Sequence, residues 1–150
     1  MNAQRRSVLF RSRQRGVSLI EVLVALLLLA IGVLGAAALQ LNALKYNQAA
    51  SARTQATFLA YDMADRMRAN RNQARSNNYA VALGAAAPTG STIADLDRAA
   101  WLNALAQQLP AGTGSVVRTA NTNVFTITVQ WDESRIGGPN AQQFIFVTEL

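Results

Sequence analysis

The sequence predicts an α+β protein in which one long N-terminal helix packs on a small antiparallel sheet. The chain has no proline before Pro88. In its first half, the apolar residues recur at helical steps of three and four. We expect this helix to begin near Val17 and to end within residues 71–75. Near the C-terminus, residues 125–131 alternate apolar and polar side chains, which is the period of a half-buried strand. A helix followed by strands indicates the α+β class.

The residue types that are missing exclude most enzyme chemistry. The 150 residues include no Cys and no His, so the chain offers no thiolate, no disulfide and no imidazole base or metal ligand. Asp95 and Asp97 point to different sides of a helix, and we interpret them as a capping and a solvated carboxylate. We therefore expect no enzyme, and no catalytic, cofactor-binding or metal-binding site.

The positive charge is concentrated at the N-terminus. The formal net charge is +6, and five arginines stand in the first 15 residues with no acid among them. They are Arg5, Arg6, Arg11, Arg13 and Arg15. Residues 76–150 instead hold three arginines and five acids, a net charge of −2. Because a nucleic-acid-binding domain carries basic charge on its folded surface, we expect no nucleic-acid partner.

Residues 22–39 form an apolar run without a charged or hydrogen-bonding side chain. As a helix the run spans roughly 27 Å, which is close to the hydrocarbon thickness of a bilayer. Because arginine-rich flanks stay in the cytoplasm, the rest of the chain is expected on the other side of the membrane. Gly32 and Gly35 interrupt the run, either as tolerated small residues or as points of close helix packing.

Glu21 lies at the start of this apolar run, where an unpaired carboxylate is costly. One interpretation is an acid in the first turn of the helix, which the helix dipole favours. The other interpretation is a charge that pairs with another chain.

A secretory signal peptide is an alternative interpretation of the N-terminus. It would combine the arginine-rich start, an apolar region within residues 22–34 and a cleavage site at Ala36-Ala37-Ala38. The carboxylate of Glu21 and the helical pattern that continues past the alanines argue against this alternative.

Beyond the apolar run, the helical pattern becomes amphipathic. Its apolar stripe consists of Leu41, Leu44, Gln48, Ala52, Ala56, Leu59, Met63 and Met67. On the polar side, Asp62 can pair with Arg66, and Asp65 can pair with Arg68.

The last third of the chain predicts a short helix and three antiparallel strands. Thr92 and Asp95 have the spacing of a capping box, and the helix that they start is expected to end at Leu109, before Pro110. Trp101 in this helix is expected to be a core anchor. The strands are expected around residues 116–117, 125–131 and 144–148, with a turn at 121–123.

The segment from Arg15 to Leu26 resembles the class III signal of type IV pilins and pseudopilins. In that family a basic leader ends in Gly, and a prepilin peptidase cuts after it and methylates the new N-terminus. The resemblance implies cleavage between Gly16 and Val17, where most relatives have Phe after the cut. It also implies that Glu21, the fifth mature residue, is the family's assembly acid. The segment 63–70 closely resembles the end of the spine in minor pilins of the PilV kind.

The resemblance implies a lollipop-shaped pilin fold and a single-pass protein of the bacterial inner membrane. Its head would lie in the periplasm until the subunit enters a pilus at the cell surface. The four expected parts are a cleaved leader (1–16), a transmembrane and filament-core half-helix (17–44), an amphipathic half-helix (45–75) and an α+β head (76–150).

The implied function is structural: a minor pilin that primes or caps type IV pilus assembly, and so serves adhesion and twitching motility. The implied partners are other minor pilins, the major pilin, the prepilin peptidase, the inner-membrane assembly platform and a tip adhesin. The alternatives are a minor pseudopilin of a type II secretion system and a DNA-uptake pilin. The net charge of residues 76–150 disfavours the DNA-uptake alternative.

Overall fold

The structure is a computed structural model, and it describes residues 16–150. The predicted leader therefore lies outside the described residues, except for Gly16. The chain divides into two compact units with a boundary between Leu41 and Asn42. The first helix, α1 (Leu19–Ala69), contributes residues to both units.

Helix α1 begins at Leu19 because Ser18 caps it. The main-chain oxygen of Ser18 accepts hydrogen bonds from the N–H groups of Glu21 (3.0 Å) and Val22 (3.2 Å). Its hydroxyl accepts the N–H of Ile20 at 3.3 Å. Serine is a favoured N-cap because its side chain accepts a main-chain N–H that the helix leaves without a partner. The helix thus starts two residues later than the sequence predicts.

Helix α1 ends at Ala69, so the predicted end within residues 71–75 is wrong. Asn70 departs from helical geometry, with φ −119° and ψ 48°, and a five-residue helix α2 (Arg71–Arg75) follows it. The Asn70 amide nitrogen donates to the hydroxyl of Tyr79 at 3.2 Å. Asparagine favours helix ends because its side chain forms such competing hydrogen bonds. The predicted single helix is therefore two helices separated by one residue.

Three antiparallel strands form the sheet, in the order β1, β2, β3. They are β1 (Thr113–Arg118), β2 (Val124–Trp131) and β3 (Gln142–Glu149). All three predicted strands are confirmed, and each extends beyond its predicted bounds. The turn between β1 and β2 contains Asn121 at φ 60°, a left-handed conformation that asparagine tolerates.

The core of the second unit joins α1, the helix α3 (Ile93–Gln108) and one face of the sheet. The expected core anchor is confirmed: Trp101 is fully buried, and its indole N–H donates to the main-chain oxygen of Leu59 at 2.9 Å. The capping box of Thr92 and Asp95 at the start of α3 is also confirmed.

The amphipathic stripe of α1 is buried only in its C-terminal part. Four of its predicted members are buried in the core: Ala56, Leu59, Met63 and Met67. Ala52 is half-buried, whereas Leu41, Leu44 and Gln48 are exposed. Both predicted ion pairs on the polar side are confirmed. Their N···O distances are 2.9 Å for Arg66 with Asp62 and 2.7 Å for Arg68 with Asp65.

Candidate assembly surface

The N-terminal part of α1 exposes apolar side chains on every side. Between Val22 and Leu39, the large apolar side chains are 47–73% exposed. An 18-residue window of α1 is long and apolar enough to cross a membrane, and none of that window is buried in the described part of the chain. A contiguous apolar surface of this size is unfavourable in water. It is the surface that a lipid bilayer or other helices would cover.

The predicted processing residues lie just before this apolar helix. Gly16 and Val17 precede the first turn, and the Val17 side chain is 71% exposed. Apart from Gly16 itself and its two sequence neighbours, no described atom lies within 4 Å of a Cβ atom added at Gly16. The fold of the described residues therefore does not require glycine at position 16, and any requirement for it must come from residues outside the described range or from another protein.

Glu21 occupies the third position of α1 and is exposed in the single chain. Ser18 and Glu21 have the spacing of a capping box, which is a local sequence signal for a helix that starts at Leu19. Glu21 therefore lies where the helix dipole favours an acid. This position is compatible with both interpretations of Glu21, the helix-start acid and the charge that pairs with another chain.

Gly32 and Gly35 also have no described atom within 4 Å of an added Cβ. Nothing in residues 16–150 therefore depends on the small size of these two residues.

A groove borders α1 in the second unit, between the helix and the loop that follows β2. Its cavity of about 590 Å³ is lined mainly by α1 residues from Gln48 to Gln55 and by the loop residues 131–136. Glu133 in this loop is 5% exposed, and its Oε1 atom accepts the indole N–H of Trp131 at 2.9 Å. Arg53 lies 3.8 Å from the same oxygen. The buried carboxylate thus has both a donor and a counter-charge, as a structural ion pair requires.

Asp97 is not the solvated carboxylate that the sequence predicts. Its side chain is 19% exposed and accepts hydrogen bonds from Arg66 at 3.2 Å and from the Tyr79 hydroxyl at 2.5 Å. Tyr79 is fully buried. Burial of the phenol, together with its hydrogen bond to Asp97, raises the pKa of Tyr79 to about 12. The hydrogen-bonded cluster of Arg66, Tyr79 and Asp97 thus connects α1, the loop before α3 and α3 itself.

The stability of the chain should fall between pH 10 and pH 12 because of Tyr79. The neutral phenol is favoured in the folded state, so its contribution is complete below its ordinary pKa of 10.0 and is lost as the pH rises through about 12. The loss is on the order of 2 kcal/mol. Chemical unfolding of the wild type and of Tyr79→Phe, measured at pH 8 and at pH 12, isolates this residue from the other titrating groups. An equal decline in both proteins would contradict the assignment.

The segment 63–70 is where α1 joins the rest of the second unit. Met63 and Met67 are fully buried in the core. Next to Met67 in the sequence, Arg68 donates to the hydroxyl of Thr148 on β3 at 3.0 Å. Residues 63–70, whose sequence resembles the end of a pilin spine, are therefore the part of α1 that packs against the core and contacts the sheet.

Two family models match adjoining parts of the chain. The model described as the prokaryotic N-terminal methylation motif matches residues 11–37, and the model described as type IV pilin Tt1218 matches residues 38–105. The chain belongs to the type IV pilin family. No curated protein and no solved structure matches the sequence of this pilin.

Membership of this family makes the pilin a structural subunit and not an enzyme. The family and its N-methylation motif imply processing by the prepilin peptidase and contacts with other pilus components. The exposed apolar helix fits a membrane anchor before assembly. Among residues 16–150, no three His, Cys, Asp or Glu side chains are grouped so that they could hold a metal ion.

Proposed function

We propose that this pilin is a minor subunit that primes or caps a type IV pilus. The observation that carries the proposal is the uncovered apolar helix between Val22 and Leu39, in a chain whose second unit has its own well-packed core. The apolar surface of such a helix would be covered first by membrane lipid and, after assembly, by the helices of other subunits. The resemblance of residues 63–70 to minor pilins of the PilV kind supports the minor role.

The proposal includes the four parts expected from the sequence. Residues 1–16 are the leader, residues 17–44 the membrane and filament-core segment, and residues 45–75 the amphipathic segment. Residues 76–150 are the head, located in the periplasm before assembly and at the cell surface afterwards. The proposed partners are the major pilin, other minor pilins, the assembly platform and a tip adhesin.

Two of the three arginines of the head form structural contacts, which gives little support to a DNA-uptake role. Arg98 donates to the main-chain oxygen of Ala80 at 3.0 Å and pairs with Asp95. Arg118 donates to the main-chain oxygen of Thr122 at 2.7 Å and to that of Arg75. Because these arginines hold the head together, they are poorly placed to neutralise phosphates.

Deleting the gene in the source bacterium should remove most surface pili and leave protein secretion unchanged. A priming or capping subunit is needed in few copies, so the wild-type protein should appear in sheared filaments as a small fraction of the major pilin. Electron microscopy, and mass spectrometry of sheared filaments, measure these two outcomes, with a complemented strain as the control. Normal piliation together with lost protein secretion would favour the pseudopilin alternative.

A further inference from the structure

The free side of β3 exposes main-chain groups that have no partner within residues 16–150. Strand β3 lies at the end of the sheet and pairs with β2 alone. The N–H of Leu150 donates to the oxygen of Asn123 at 3.0 Å, which continues the ladder beyond Glu149. Residues in an antiparallel ladder alternate between bonding toward the partner strand and bonding away from it.

This alternation determines which groups of β3 point outward. Leu150 bonds toward β2, so the even-numbered residues of β3 do the same. The odd-numbered residues direct their N–H and C=O groups away from β2. These residues are Gln143, Ile145, Val147 and Glu149.

The edge has few of the features that usually prevent strand addition, and its one charged side chain is Glu149 at the end of the strand. Strand β3 has eight residues paired with β2 without a bulge, and it contains no proline and no lysine. Long and regular edges of this kind are templates for another strand. The opposite edge of the sheet is different, because Val81 bonds to Val116 on β1 through two main-chain hydrogen bonds of 3.0 and 2.9 Å.

Apolar side chains flank the open edge on both faces of the sheet. Ile145 and Val147 are 57% and 58% exposed on the outer face. On the inner face, Phe146 is only half-buried, and its ring lies 4.6 Å from that of Tyr61 on α1. Phe58, one helical turn earlier, is 64% exposed. A strand added beside β3 would therefore find apolar contacts for alternate side chains on either face.

We infer that β3 receives an extended segment of a different subunit of the same filament, which adds a fourth strand to the sheet. The inference rests on the proposed function. Only an extended chain matches main-chain donors and acceptors that repeat every second residue. Self-pairing of β3 by two copies would be a closed two-fold contact, whereas adding a subunit to a filament requires contacts with a different neighbour. The segment would carry apolar residues at alternate positions and no acid opposite Glu149.

Ile145→Pro tests the inference with little cost to the fold. The Ile145 N–H points outward, so proline removes no bond to β2, and edge strands accept proline at such positions. The ring removes the donor and blocks an incoming strand. We expect the variant to be about tenfold less abundant in sheared filaments, which is the effect of losing roughly one hydrogen bond. Ile145→Val keeps the N–H and an apolar β-branched side chain, and it should be incorporated like the wild type.

Two further measurements keep the outcomes distinct. Thermal unfolding of the full chain in detergent must show that Ile145→Pro is folded, and Val147→Pro repeats the test at the next outward N–H. Amide hydrogen exchange should show outward β3 groups protected in filaments and not in the isolated subunit. Normal incorporation of both folded proline variants would overturn the inference, and so would a concentration-dependent dimer that Ile145→Pro abolishes. Absence of the wild type from filaments would instead contradict the proposed function.

Discussion

Replacing Gly16 by Val is expected to abolish removal of the leader. A peptidase that accepts the main chain closely at the cut leaves no room for a branched side chain, and only glycine lacks one. The structure strengthens this test, because a Cβ at Gly16 contacts nothing within 4 Å in the described chain. A loss of cleavage would therefore reflect the peptidase and not misfolding. Intact-mass measurement of the membrane-bound protein gives the position of the first residue.

The wild type should begin at Val17, and Gly16→Val should retain the whole leader. Gly16→Ala is the matched control, because it adds the smallest side chain, and it should be cleaved more slowly than the wild type. Normal processing of Gly16→Val would refute the close-fit argument. A wild-type chain that begins at Leu39 would refute the pilin cleavage site and restore the signal-peptide alternative.

The elements that the sequence predicts well are those with a local signal. The alternation of apolar and polar residues from Phe125 to Trp131 is visible from neighbouring residues alone. In the structure, buried and half-buried residues alternate along β2 in the same way. The capping box of Thr92 and Asp95 is equally local, since both halves lie within four residues. Strong local patterns of this kind survive tertiary packing because they agree with it.

The errors concern contacts between residues that are distant in the sequence. Asp97 has the pattern of a solvated acid, yet its partners Arg66 and Tyr79 come from other elements. The end of α1 at Ala69 likewise depends on the bond between Asn70 and Tyr79, which no helical period reveals. The predicted roles of Gly16, Val17 and Glu21 depend on other proteins, so they remain predictions.

Glu21→Ala should reduce incorporation into the filament and leave cleavage, membrane insertion and head folding intact. A carboxylate at the edge of an apolar span is costly until it is paired. We expect the partner cation to be the N-terminal amine that cleavage after Gly16 would free at Val17, in the same or a neighbouring subunit. The bond between subunits forms only when their helices are in the correct register. Glu21 would therefore favour correctly aligned subunits during assembly. A lost charged hydrogen bond predicts a decrease of about tenfold or more.

Glu21→Gln separates the two interpretations of this residue. Glutamine suits the third position of a helix that Ser18 caps, as glutamate does, but it carries no charge. If Glu21 were only a helix-start acid, Glu21→Gln would assemble like the wild type. If its charge pairs with an amine, Glu21→Gln should be depleted from filaments as strongly as Glu21→Ala. The measurement is the ratio of each variant in sheared filaments to that in the membrane fraction. Equal ratios for the wild type and both variants would show that assembly does not depend on this carboxylate.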